Sequence, residues 1–329
     1  ICFFNYLERL YGQGFATYRT MFDSEISPNM VLAYDLVIFT RCRSDCSIEA
    51  MRLCKRQGIP SLYMIDDNWL TISRDNPDVG SIFMEGNPDY DNFIEAMGLC
   101  KVTWLYNDTL KEDVLPYTNC VQKFKISINP ELFISDKPRQ RTDKELIVGF
   151  SGSLRYDDTA FLALARCARR HSNVRVVLMG ILSPSQEKLF KNLNPIRLNF
   201  VGYLSYARQM ATIRPDVMIA PLMNNRTANS KCYNKYIENG AVGAACICSP
   251  YPPYTDVIKD GVNGFFVKDN TFQGWENALE AVLADISGLR KVQAEIVADV
   301  QKNHALDAML KPFVKKLEGI VEERNLKDD

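Results

Sequence analysis

The chain has 329 residues, enough for two domains of ordinary size, each with its own core. It is 47% hydrophobic and 24% charged with 17 Gly and 15 Pro, the composition of a soluble globular protein; no apolar stretch approaches bilayer-spanning length, and no charged-then-apolar signal segment opens the chain. The net charge of −1 is unevenly spread: residues 1–135 carry 12 Lys+Arg against 18 Asp+Glu and the remainder is net +5, which argues against nucleic acid and against membrane docking through a basic first half.

Ile1 to Asn5 (ICFFN) reads as a first buried strand, Tyr11-Gly-Gln-Gly14 as a glycine-bearing turn and Phe15 to Asp23 as a helix. Opening on a strand implies a first domain trimmed at its start. Strand Tyr34 to Thr40 leads to helix Ser47 to Gln57, ended by Gly58 and Pro60, and to strand Ser61 to Asp67, which finishes on two carboxylates. Residues 71–90, rich in Asn, Asp, Pro and Gly, read as a long loop of functional or mobile character. Helix Phe93 to Leu99, strand Val102 to Tyr106, helix Thr109 to Leu115 and strand Lys123 to Ile128 complete a first domain of residues 1–135. Pro130 to Asp143 reads as the interdomain linker.

The second domain, residues 136–329, alternates more regularly. Strand Leu146 to Phe150 is followed by the turn Ser151-Gly152-Ser153 and helix Asp158 to Arg169. Strand Val174 to Met179, helix Ser185 to Lys191, strand Leu198 to Val201, helix Tyr206 to Ile213 and strand Val217 to Ala220 come next, and from Phe272 the chain is helical. Strands alternating with helices of this length predict an α/β fold with parallel sheets covered on both faces.

Ten cysteines include no C-x-x-C pair, and most lie in apolar surroundings as small hydrophobes, which points to a reducing, cytoplasmic setting. His171 and His304 are the only histidines, which argues against a histidine-based metal centre or catalytic triad.

The richest stretch is Asn224 to Asp269. Asn229 or Ser230 is placed to cap a helix on which Lys231, Lys235 and Glu238 fall at i, i+4 and i+7, one face. A buried strand Ala244 to Ser249, a helix Tyr254 to Lys259, a turn at Gly261 and Gly264 and a strand Phe265 to Val267 follow. Two cations at a helix N-terminus beside the end of a parallel sheet make a phosphate site.

These residues resemble the donor-site segment of GT-B glycosyltransferases, in particular family 4 (glycosyl transferases group 1) and relatives: Lys231, Lys235 and Glu238 in K-x3-K-x2-E, then Gly243, the strand, and Asp260-Gly-Val-Asn-Gly264. Gly58 to Asp67 is similar to the family's "GIPVVY-x-x-DD/HD" strand, Leu146 to Leu154 to its first second-domain strand and glycine turn, and Leu198 to Tyr203 to its "V-x-F-x-G" turn. The resemblance runs over most of residues 35–270 and is weakest at the N-terminus. It implies two Rossmann-like domains with a cleft between them and terminal helices returning toward the first.

By that resemblance Glu238 accepts hydrogen bonds from the donor's ribose, Lys231 and Lys235 neutralise its diphosphate, and Tyr203 and Leu204 hold the base through the backbone. Phosphate charge then rests on Lys231, Arg226 or Arg155, helped by the N–H groups of Gly152 and Ser153; read from the residues alone, Gly12 and Gly14 either let backbone approach the diphosphate from the first domain or form a plain loop. Asp66 takes a position often His in relatives, facing the sugar and the acceptor, and Asp67 follows it. Trp69, beside the aspartates, is either core or a platform for a sugar ring. There are departures: Ser230 stands where many relatives have a second glutamate, and Ser153 where they have an arginine.

The expected activity is transfer of a hexose-like sugar, with retention, from a nucleotide diphosphate to a glycan or lipid-linked glycan. It needs no metal and no cofactor, serves cell-surface polysaccharide or glycoconjugate synthesis, and leaves room for a peripheral membrane or assembly partner. The rivals are another GT-B enzyme, either an inverting transferase or a phosphorylase, and a non-catalytic GT-B module of a larger assembly.

Overall fold

A computed structural model describes residues 2–152, 158–199 and 201–322. The chain divides into two compact units. The first comprises residues 1–126, 225–232 and 309–329, and the second residues 127–224 and 233–308. The division falls earlier than residue 135, and it returns two later segments to the first unit.

The first unit holds a parallel sheet in the order β1 (Val37–Thr40), β2 (Ser61–Met64), β3 (Val102–Leu105), β4 (Val121–Lys123). Strands β2 and β3 are buried along their whole length, as a sheet covered on both faces requires. Helix Asp45–Arg56, capped by the Ser44 side chain, and helix Pro88–Leu99, capped by Asn87, bring Ile48, Met51, Phe93 and Met97 into the core with Phe39, Tyr63 and Leu105. Another cluster forms from aromatic residues far apart in sequence. Phe3 meets Trp104 edge to face at 5.3 Å, and Tyr6 stacks on Phe313 at 4.0 Å.

Here the expected order fails at the start. Residues Cys2–Gly12 are a helix, not a strand, burying Phe3, Tyr6 and Leu10 at helical spacing. No helix forms over residues 15–22. Gly14 ends the first helix: its φ of 68° lets its N–H reach Tyr11 O while Phe15 N–H reaches Leu10 O. Residues 71–90 are not an open loop either. Short helices Ile72–Asp75 and Pro77–Gly80 and the turn Ser81–Phe83 lead into the next helix, and Trp69, 6% exposed, stacks on Phe83 at 4.5 Å. Trp69 is therefore core, not a sugar platform.

The second unit has a six-stranded parallel sheet in the order β10-β9-β8-β5-β6-β7. The strands are β5 (Leu146–Gly152), β6 (Val174–Gly180), β7 (Ile196–Leu198), β8 (Val217–Ala220), β9 (Ala245–Cys248) and β10 (Phe265–Phe266). Phe150, Val176, Ile219 and Ile247 pack under helices Thr159–Arg170 and Phe272–Ala284, with Trp275 at the centre. The chain runs from β5 outward to β7, then returns to place β8 on the other side of β5. That reversal is the topological switch point where open α/β sheets bind ligands.

Pro130 to Asp143, expected as a linker, is bound to the second unit. Asp216, fully buried just before β8, accepts hydrogen bonds from the guanidiniums of Arg139 and Arg290 and from Ile147 N–H at 2.8 Å. Arg141 donates to the carbonyls of Pro215 and Val242. A carboxylate with no solvent must be paired this way, and the pairing ties the segment down at the amino ends of the strands. Tyr254–Asp256 is a single 3-10 turn instead of a helix. Among the described residues no helix is long and apolar enough to cross a membrane.

Candidate active site

Strand β5 carries Ser151 and Gly152 at its carboxyl end, on the switch point. Gly152 has φ 147°, and a Cβ built there would lie 3.2 Å from the Phe150 ring and 3.7 Å from Lys235 Cε. Glycine therefore leaves backbone open beside the lysine. Helix Asn234–Ala241 follows Tyr233, whose side chain makes no cap, and presents Lys235 and Glu238 one turn apart.

Lys235 Nζ donates to Ser151 Oγ at 3.2 Å and lies 3.7 Å from Glu238 Oε2. Glu238, 8% exposed, accepts from Tyr206 OH at 3.0 Å, and Tyr206 OH is also 3.2 Å from Ser151 Oγ. Desolvation, then the Glu238 charge, push the Tyr206 phenol well above its ordinary value, so it stays protonated and donating. The result is a nearly buried carboxylate held in one orientation by a phenol, with a cation on its flank.

Helix Tyr203–Ile213, which supplies Tyr206, begins at Gly202 without a side-chain cap. Tyr203 occupies its first turn, with Phe133 at 6.1 Å, and Leu204 is exposed. Ser153 and Arg155 lie outside the described residues.

Lys231 is not on the helix that carries Lys235 and Glu238, contrary to the one-face expectation. Residues Arg226–Asn229 form their own short helix, capped by Asn225 rather than leading on from Asn229 or Ser230, and Lys231 and Cys232 precede Tyr233. The segment 225–232 belongs to the first unit. There Asn107 Nδ2 donates to Lys231 O at 2.9 Å, and Asp75 accepts from the Thr227 N–H and hydroxyl.

Lys231 Nζ pairs with Asp67 Oδ1 at 3.1 Å. Arg41, at the end of β1, pairs with Asp66 and, at 3.2 Å, with Asp67 Oδ2. Two carboxylates thus share two cations. Burial raises the Asp66 pKa above the ordinary value, and the like charge of Asp67 adds to it, while Arg41 and Lys231 oppose. Burial works against the Arg41 charge, yet Asp66 and Asp67 outweigh it and its pKa is raised. Arg41 also holds φ 54°, an uncommon conformation for a side chain of that size and a mark of functional sites. Nothing in the local sequence singled Arg41 out, because its nearer partner, Asp66, lies 25 residues on.

Arg226 has a different occupation from phosphate binding. Its guanidinium bonds Asp113 at 2.8 and 2.9 Å, Glu112 at 2.8 Å and Thr109 O at 3.0 Å, and those carboxylates raise its pKa. Gly14 likewise has its conformation accounted for by the helix it ends.

Residues 134–297 match the family model for glycosyl transferases group 1. No curated protein matches the sequence. Among solved structures, Anabaena HepE in complex with UDP and glucose superposes at TM-score 0.63 and 14% identity, covering 88% of this chain and 80% of its own. Sucrose-phosphate synthase from Thermosynechococcus elongatus superposes at TM-score 0.64 and 13% identity, covering 94% and 82%. TarM superposes at TM-score 0.60 and 10% identity, covering 85% and 54%. Both parallel sheets are those of the GT-B architecture. The chain has the GT-B fold, and its residues 134–297 carry a glycosyl transferases group 1 domain.

Proposed function

We infer that the second unit binds a nucleoside diphosphate sugar and that the enzyme transfers its hexose-like sugar, with retention, to a glycan or lipid-linked glycan in polysaccharide or glycoconjugate synthesis. The observation that carries this reading is the Ser151–Tyr206–Glu238–Lys235 network at the switch point. Glu238 offers an ionised acceptor for paired ribose hydroxyls. Such charge-assisted bonds are about twice as strong as neutral ones. Lys235, the open backbone at Gly152 and the start of helix Asn234–Ala241 supply positive potential for a diphosphate. With protein cations in that role, the leaving group is stabilised without a divalent ion. UDP bound in the HepE structure supports uridine as the first base to try.

In the first unit we assign Asp66 and Asp67, flanked by Arg41 and Lys231, to the sugar and acceptor chemistry. Calorimetry with UDP and with uridine tests the donor assignment. Glu238→Ala is expected to weaken both ligands by about 1.5–3 kcal/mol, the worth of a hydrogen bond to a charged group. Unchanged affinity for both would remove Glu238 from the site. Binding of neither by the unaltered protein would favour the non-catalytic module.

A further inference from the structure

Away from the donor residues, helices Thr159–Arg170 and Phe272–Ala284 pack side by side in the second unit. Cys167 and His171 lie one turn apart where the first of these helices ends, and Glu280 reaches them from the second. The thiol sulfur, a ring nitrogen and a carboxylate oxygen all lie within 4.8 Å of one another. We propose that Cys167, His171 and Glu280 form a zinc site that fastens these two helices together, with the fourth position open to water.

The donor chemistry suits zinc. One sulfur, one imidazole and one carboxylate are its protein ligands, with bonds of about 2.0–2.3 Å. A soft thiolate disfavours magnesium or calcium, which take oxygen. Spacing i, i+4 puts Cys167 and His171 on one helix face. His171 and Glu280 are each about one-third exposed, so an ion can reach them and both side chains can adjust. Glu280 needs some opening, because its Oε2 now sits 2.6 Å from His171 Nε2. Its other oxygen lies 3.5 Å from Arg170 Nη1, an outer contact of the kind that orients a ligating carboxylate. Arg170 makes its closer contact with Glu276, at 2.9 Å, so it does not saturate Glu280.

An ion pair between His171 and Glu280 accounts for those two residues alone. The buried Cys167 thiol converges on the same carboxylate, which makes a set of three donors out of the pair. On binding, the S–H bond breaks, sulfur bonds zinc, and the proton passes to solvent.

The test titrates chelator-dialysed full-length protein with Zn²⁺ and with Co²⁺. We expect one ion per chain at micromolar affinity or tighter, a rise in Tm with zinc, and a Co²⁺ complex with a thiolate charge-transfer band in the near ultraviolet. His171→Gln, a one-third-exposed position that leaves the core intact, should lose at least about tenfold in affinity. Cys167→Ser should abolish the charge-transfer band. The proposal is overturned if zinc leaves Tm unchanged, if the Co²⁺ complex lacks the thiolate band, or if His171→Gln binds zinc as tightly as the parent.

Discussion

At the scale of single residues, the two lysines of the K-x3-K-x2-E register have separate partners. Lys235 flanks Glu238 in the second unit, whereas Lys231 pairs with Asp67 in the first. Lys235→Ala should therefore weaken nucleoside diphosphate binding and spare the bare nucleoside, because only the former carries the charge it meets. Lys231→Ala should act on kcat and leave UDP affinity near the parent value; calorimetry alongside initial rates separates the two. Asp66→Asn should lower kcat with little effect on nucleotide affinity, and a matched loss in both would place the residue wrongly. Since burial raises the Asp66 pKa in the fold, its carboxylate is lost on acidification earlier than an ordinary aspartate. The acid limb of the kcat–pH profile should lie above that of an ordinary aspartate and disappear in Asp66→Asn. The register placed Lys235 and Glu238 on one helix, and they stand there. The Glu238 partners Tyr206 and Ser151, and the role of Arg41, were not legible, because each contact joins residues tens of positions apart.

At the scale of elements, β5, β6, β8 and β9 and the helices after Phe272 stand where apolar runs and helical periodicity put them, because burial on both faces leaves a strong pattern. The failures have local causes. Four apolar residues and an asparagine, ICFFN, suit a strand or a helix equally, and the decision came from Trp104 and Phe313, which give Phe3 and Tyr6 a surface to pack on. The Lys231 error has the same origin. The lysine and glutamate spacing fits one helix, yet the Asn225–Cys232 segment is held in the first unit by Arg226, Thr227 and Ser230, and the helix starts only at Asn234. A count of histidines likewise says little about a mixed Cys, His and Glu cluster assembled by helix packing. Phe313, buried among Phe3, Tyr6, Trp104 and Phe124, anchors the final helix. Phe313→Ala should cost about 3–5 kcal/mol, read from urea unfolding of the first unit, with UDP binding by the second unit retained.

For the whole molecule, the donor site should bind UDP without added metal. UDP at 100 times its dissociation constant should raise stability by about 2.7 kcal/mol, seen as a thermal shift that added magnesium or manganese leaves unchanged. A loss of the UDP shift on chelation would contradict donor binding by protein cations alone; a chelation-induced fall in Tm at constant UDP affinity would instead report on the zinc site. The first unit, assembled from residues 1–126, 225–232 and the stretch from Met309, also constrains the order of events during synthesis. Strands β1 to β4 leave the ribosome long before Phe313, so the ring cluster around Trp104 waits with one wall missing while the second unit is translated. Folding of the first unit should then wait until the second unit has been translated, unlike the usual N-terminal-first order of multidomain chains. Nascent chains halted at residue 308 should stay protease-sensitive across residues 1–126 and become resistant once residues 309–322 are released.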